Sequence, residues 1–156
     1  MDTELLANAR SWRDADPDPE TARELDLLLA GGVETELLDR FRAELEFGTA
    51  GLRSLLGAGP NRMNRAVVRR ATAGVARHLL ATVPDAARRG VVVARDARRG
   101  SDDFALETAA VLAGHGIRVH FFVDRAPTPL GAFAVKELGA AAGIVVTASH
   151  NPPAYN

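Results

Sequence analysis

Hydrophobic and polar positions alternate along this chain in two distinct rhythms. Over the first forty or so residues the rhythm is helical. Leu5, Leu6, Ala9 and Trp12 recur near helical spacing, which predicts a helix over 2–13. Asp14-Ala15-Asp16-Pro17-Asp18-Pro19-Glu20 breaks it and starts another, with Asp18 suited to the N-cap and Pro19 to the first helical position. That second helix runs to about Leu29 and is stopped by Gly31-Gly32. Leu37, Leu38 and Phe41 fall on one side of a third helix over 35–45.

The second rhythm is mixed. Val67, Ala71, Val75 and Leu79 repeat every four positions, predicting a helix over 65–82 that Pro84 ends. Val91-Val92-Val93 is a β-branched strand at 90–94, and residues 95–100 form a polar loop at its carboxyl end. Ser101-Asp102-Asp103 opens the next helix, with Ser101 as N-cap and the acids in the first turn, and Phe104, Thr108 and Val111 on its buried side. Residues 117–123 form a strand, 124–129 a loop and 130–138 a short helix ended by Gly139. Ile144, Val145 and Val146 make the last strand, and Pro152 and Pro153 bar it from extending, so it ends near Ser149. Residues 46–56 are a glycine-flanked segment that adds a strand or a hairpin.

Strands alternating with helices predict an α/β fold: a mostly parallel sheet with helices on both faces, preceded by a helical N-terminal extension. The texture changes near Glu44, dividing the chain into an extension over 1–44 and a domain over 45–156. Right-handed crossovers bring the loops at 95–100, 124–129 and 147–153 to one sheet edge, where open α/β sheets bind ligands.

Composition narrows the chemistry. The 156 residues are 47% hydrophobic and 25% charged, with net charge −1, so no bulk field recruits nucleic acid or an anionic membrane. The absence of cysteine excludes disulfides and thiol catalysis. The acidic start, Met1-Asp2-Thr3-Glu4, is not a signal peptide, and no run approaches the roughly 20 apolar residues of a membrane span. The expectation is a cytoplasmic protein.

Several motifs fail. Lys136 is followed by Glu137, which rules out a phosphate-binding loop, and no Gly-x-Ser-x-Gly elbow surrounds Ser149. Asp14, Asp16 and Asp18 imitate a calcium loop, but Pro19 and Leu25 occupy its required Gly and Glu positions. His78, His115 and His120 take structural readings. Arg88 and Arg89 belong to a solvated face. Arg95, Arg98 and Arg99 are read as surface residues, with a phosphate site as the alternative.

Ser149 has three roles open to it: a loop-capping hydroxyl, a nucleophile with a base, or a carrier of a phosphoryl group. His150 is adjacent, but on an extended loop neighbouring side chains point apart, so two separate substrate contacts are favoured over a direct pair. Read locally, the capping role wins.

A longer comparison changes that balance. Thr147-Ala148-Ser149-His150-Asn151-Pro152-Pro153-Ala154-Tyr155-Asn156 resembles the phosphoserine loop of the α-D-phosphohexomutases, the phosphoglucomutase/phosphomannomutase superfamily. Phe47-Gly48-Thr49-Ala50-Gly51-Leu52-Arg53 is similar to its Phe-Gly-Thr-x-Gly-x-Arg. Asp96-Ala97-Arg98-Arg99-Gly100-Ser101-Asp102-Asp103-Phe104-Ala105 is similar to its Asp-x-Arg-x-x-Ser-x-x-Phe-Ala, and Pro127-Thr128-Pro129 to its Pro-Thr-Pro turn. Trp12 and Asn61-Arg62-Met63-Asn64 resemble the branch holding phosphoglucomutases and phosphopentomutases.

The resemblance implies the first domain of that fold and a phosphosugar mutase. Phosphorylated Ser149 would give its phosphoryl group to a sugar monophosphate, through a sugar bisphosphate intermediate that links the 1- and 6- (or 5-) positions. Arg53 would stabilise the transferring group, and His150 would touch the substrate or assist proton transfer. A phosphoserine carries about −1.5 to −2 charge, and Mg²⁺, bound to Ser149 through its phosphate, would balance it. The family's general-base lysine and its Asp-Gly-Asp-x-Asp-Arg metal loop have no match here. The expectation is therefore the first part of a longer enzyme, inactive by itself, whose partners are its own later domains and sugar phosphates, with no nucleic acid or membrane. The alternative is a truncated, non-catalytic α/β binding module.

Overall fold

Proline and aspartate decide where the helical lead-in turns. The computed structural model describes residues 3–49 and 51–156; Met1, Asp2 and Ala50 lie outside the described residues, including the first position of the expected helix at 2–13 and the variable position of the Phe47–Arg53 segment. Helix α1 spans Thr3–Ala15 and α2 Pro19–Gly31. Asp18 caps α2 as expected: its carboxylate accepts the Glu20 N–H at 2.9 Å. Gly32 ends the helix in the left-handed conformation, φ 62°. Helix α3, Glu34–Phe41, stops four residues short of the expected end. The Leu45 N–H pairs with the Pro60 carbonyl at 3.1 Å, so a distant partner claims the backbone before another turn can form.

The chain divides into two compact units, residues 1–67 with Tyr155, and residues 68–154 with Asn156. The first unit buries Leu5, Ala9, Leu25, Leu37 and Ala58, with Trp12 set edge-on to Phe41 at 6.3 Å. Its 57–64 loop is held by polar groups. Glu24 accepts the Ala58 N–H at 2.8 Å and pairs with Arg40, while Arg62 pairs with Asp39. Asn64 is buried. Its amide donates to the Gly57 and Gly59 carbonyls at 2.9 and 2.8 Å, and its oxygen accepts the Val67 N–H at 3.0 Å. That last bond caps helix α4, Arg65–Thr82, whose bounds match the sequence expectation.

The second unit is built on a three-stranded parallel sheet: β1 (Val91–Arg95) in the centre, β2 (Val119–Phe121) on one side and β3 (Ala142–Val146) on the other. A short helix unforeseen in the sequence, α5 (Ala86–Arg89), leads into β1. Helix α6 covers Ser101–Gly114 and α7 covers Thr128–Glu137. Val91 and Val93 face Ala76, Leu79, Ala105 and Leu112 of α4 and α6. The other face meets α7 so closely that a Cβ on Gly131 would lie 3.0 Å from Val145 and 3.3 Å from Ala94. Helices thus cover both faces, as the alternating pattern predicts. No described helix is long and apolar enough to cross a membrane.

Three expectations need correction. Strand β2 is shorter than 117–123, because Ile117 still bonds back to Leu112 and Arg118 to Ala87. Ser101 is not the N-cap of α6. Gly100 occupies that place at φ 80°, and the Ser101 hydroxyl is engaged elsewhere. Among the described residues of 46–56 no strand forms, although Gly48 and Gly51 exchange two 3.1 Å antiparallel backbone bonds, as in the hairpin alternative.

Candidate active site

With the strand order β2-β1-β3, the chain leaves β1 to one side and returns on the other, so the carboxyl end of β1 is a switch point. The loops after β1 and β3 lie side by side there: the Asp96 N–H donates to the Val146 carbonyl at 3.1 Å.

One carboxylate organises this edge. Asp96 Oδ1 accepts the Arg98 N–H at 2.9 Å and the Ser101 hydroxyl at 2.8 Å. Burial alone would raise its pKa. Hydrogen bonds from the Arg98 N–H, Thr147 and Ser101, with the Arg98 charge, outweigh burial and hold it below the usual carboxylate value. Ser101 in turn accepts the Asn156 amide at 2.8 Å, and the same amide donates to the Arg99 carbonyl at 3.1 Å.

Ser149 sits in the left-handed region, φ 54°, which is uncommon for a residue with a side chain. Its N–H donates to Thr147 Oγ1 at 3.0 Å, and the Asn151 N–H closes a turn onto the Ala148 carbonyl at 3.0 Å. The Arg98 guanidinium donates to the Ser149 carbonyl at 2.5 Å and to the Pro152 carbonyl at 3.2 Å. The loop is therefore not extended, and the premise that sends the Ser149 and His150 side chains apart does not hold. Ser149 Oγ lies 3.4 Å from His150 Nδ1, a long contact between two exposed groups.

Arg53 belongs to the first unit, two residues beyond the Gly48–Gly51 turn, where Gly51 takes φ 88°. Among the described residues its half-buried guanidinium has no hydrogen-bond or ion-pair partner.

The other arginines of the edge sort themselves by what they touch. Arg95 pairs with Asp102 at 2.5 Å, donates to the Phe122 and Val123 carbonyls, and lies over the Phe121 ring. It is structural. Arg125 and Arg95 hold Asp102 down to about pKa 2. Arg98 binds the serine loop, and the Arg99 side chain is exposed. Two of the histidines have structural partners: His115 Nδ1 pairs with the Val111 carbonyl at 2.8 Å and His120 Nε2 with the Arg89 carbonyl at 3.0 Å. Sequence reasoning missed Asp96, Arg98, Thr147 and Asn156 as holders of the serine loop. The Asp96-x-Arg98 turn carried a local signal; the contacts across more than fifty residues carried none.

A three-stranded parallel sheet with helices on both faces and a serine loop at its switch point defines an α/β domain, a class whose ligands bind outside the carboxyl ends of the strands. Residues 44–156 match the phosphoglucomutase/phosphomannomutase alpha/beta/alpha domain I, and the chain belongs to that family. It is 44% identical, over all of its length and 27% of the relative's, to a Schizosaccharomyces pombe protein named "Probable phosphoribomutase". It is 40% identical to the Mus musculus phosphopentomutase, covering 26% of that protein, and 39% identical to the Mus musculus glucose 1,6-bisphosphate synthase, covering 25%. A solved structure from Thermus thermophilus, described as "putative phosphomannomutase", superposes with TM-score 0.63 at 40% identity, over 72% of this chain and 24% of that one. The chain thus spans about a quarter of the length of these relatives.

Proposed function

We propose that this chain is the phosphoserine-bearing segment of a phosphosugar mutase, with Ser149 as the phosphoryl carrier. The observation that carries the reading is the serine itself: exposed, held at φ 54°, on a loop fixed from both sides at the switch point. In the proposed step a sugar hydroxyl attacks the phosphorus. The P–Oγ bond breaks as the new P–O bond forms, the sugar hydroxyl gives up its proton, and Oγ takes one up. The bisphosphate then returns its other phosphoryl group to Ser149, completing transfer between the 1- and 6- (or 5-) positions. The phosphoribomutase and phosphopentomutase relatives support a pentose phosphate as substrate, and the glucose 1,6-bisphosphate synthase a hexose phosphate.

Arg53 supplies a guanidinium not committed to any described side chain, suited to two oxygens of a transferring phosphoryl group. His150 lies beside Oγ, which supports proton transfer as its role. Mg²⁺ belongs to the proposal as the counter-charge of the phosphoserine. The Ser149 phosphate oxygens would hold it; among the described residues no group of three His, Asp or Glu side chains is placed to do so. The remaining ligands, the general base and the sugar contacts are assigned to other segments of the whole protein, so the 156 residues alone are expected to show no mutase turnover.

The test compares the whole protein with its Ser149→Ala form in a coupled assay using ribose 1-phosphate and glucose 1-phosphate. Turnover that vanishes in the variant supports the reading. Equal turnover in both forms removes Ser149 from the mechanism.

A further inference from the structure

We propose that Asp96 and Arg98 are positioning residues for the Ser149 hydroxyl; this rests on Ser149 being the phosphoryl carrier. A serine in the left-handed region persists only where its surroundings over-determine it. Two grips do so here. On the amide side, the Ser149 N–H donates to Thr147 Oγ1 at 3.0 Å. On the carbonyl side, Arg98 reaches the Ser149 oxygen at 2.5 Å and the Pro152 oxygen at 3.2 Å. Asp96 braces the carbonyl-side grip, accepting the Arg98 N–H at 2.9 Å and facing Arg98 Nε across 3.4 Å, and its own N–H holds the Val146 carbonyl at 3.1 Å, one residue before Thr147.

The arrangement also decides what Arg98 does not do. Its guanidinium is engaged with two carbonyls and one carboxylate and is about one-fifth exposed, so it is committed to the loop rather than to a substrate phosphate. A lysine at this place supplies charge without the planar fork and satisfies fewer of these acceptors at once. Fixing the backbone on both sides of Ser149 fixes the direction of its Cα–Cβ bond, and with it the reach of Oγ. Misplacing a reacting atom by about 1 Å costs on the order of 10²-fold in rate.

The experiment uses the whole protein, its Arg98→Ala, Arg98→Lys and Asp96→Asn variants, and Arg88→Ala as a control on the solvated face. Two readouts are taken: the rate at which glucose 1,6-bisphosphate places phosphate on Ser149, followed by peptide mass spectrometry, and amide hydrogen exchange at Ser149 and Asn151 without substrate. The expected result for Arg98→Ala and Asp96→Asn is phosphorylation slowed about 10²-fold, with Ser149 exchange faster by about tenfold and melting temperature near wild type. Arg98→Lys falls between, and Arg88→Ala matches wild type. Wild-type phosphorylation rates in Arg98→Ala and Asp96→Asn overturn the proposal, whatever the exchange shows. If Arg98→Ala does not fold, Arg98→Lys decides by the same two readouts. A wild-type protein that takes no phosphate contradicts the mutase reading instead; exchange then decides the loop-holding claim by itself, and unchanged exchange in both variants overturns it.

Discussion

Gly90 and Arg118 approach so closely that a Cβ on Gly90 would stand 2.6 Å from the Arg118 carbonyl oxygen. Gly90 takes φ 76° and ψ −178°, a region essentially reserved for glycine, and it feeds β1 between its two neighbours. Val91 bonds to the Arg118 carbonyl at 2.9 Å, and the Gly90 carbonyl accepts the Ala141 N–H at 2.8 Å. Gly90→Ala is therefore expected to destabilise the protein by about 2–4 kcal/mol from combined strain and crowding. Denaturant unfolding of the variant checks this, and a change below about 0.5 kcal/mol would contradict it.

Asn64 serves two roles with one side chain, and an isosteric change separates them. Its oxygen caps α4, while its amide satisfies the Gly57 and Gly59 carbonyls in a buried site. Asn64→Asp keeps the cap acceptor but turns an oxygen toward those carbonyls. Asn64→Ala loses cap and donors together. Both variants should lose about 2–4 kcal/mol, in contrast to the few tenths expected if capping by itself mattered in the aspartate form. Chemical denaturation of the two variants side by side gives the comparison.

The Asp102 carboxylate is depressed to about 2, first by Arg125 and then by Arg95. A folded pKa below the unfolded value means stability that is present above roughly pH 4 and lost as the pH falls toward 2. Melting temperature should therefore fall more steeply with acid over that window in the wild type than in Asp102→Asn. The group is exposed, so the difference is small and shrinks in high salt. Parallel acid limbs in the two proteins would remove Asp102 from the acid response.

Much of this fold was legible because its signals are local. Asp18-Pro19 and Gly32 mark both ends of α2, and the four-residue repeat from Val67 to Leu79 marks α4. The three valines of β1 and the apolar run of β3 announce a buried parallel sheet. What escaped is what the chain decides at a distance. Helix α3 ends early because Leu45 finds Pro60, and Ser101 abandons its capping role because Asp96 and Asn156 take its hydroxyl. Ser149 was visible as a candidate from its motif. Its conformation was not, because that conformation is set by Arg98, which reaches it from 51 residues away.

The proposed mutase chemistry requires Ser149 to carry phosphate. The most direct measurement is peptide mass spectrometry of the whole protein after priming with glucose 1,6-bisphosphate. One phosphate is expected, on Ser149, and it is lost to a sugar monophosphate added in excess. An active protein in which Ser149 stays unmodified under these conditions would contradict it.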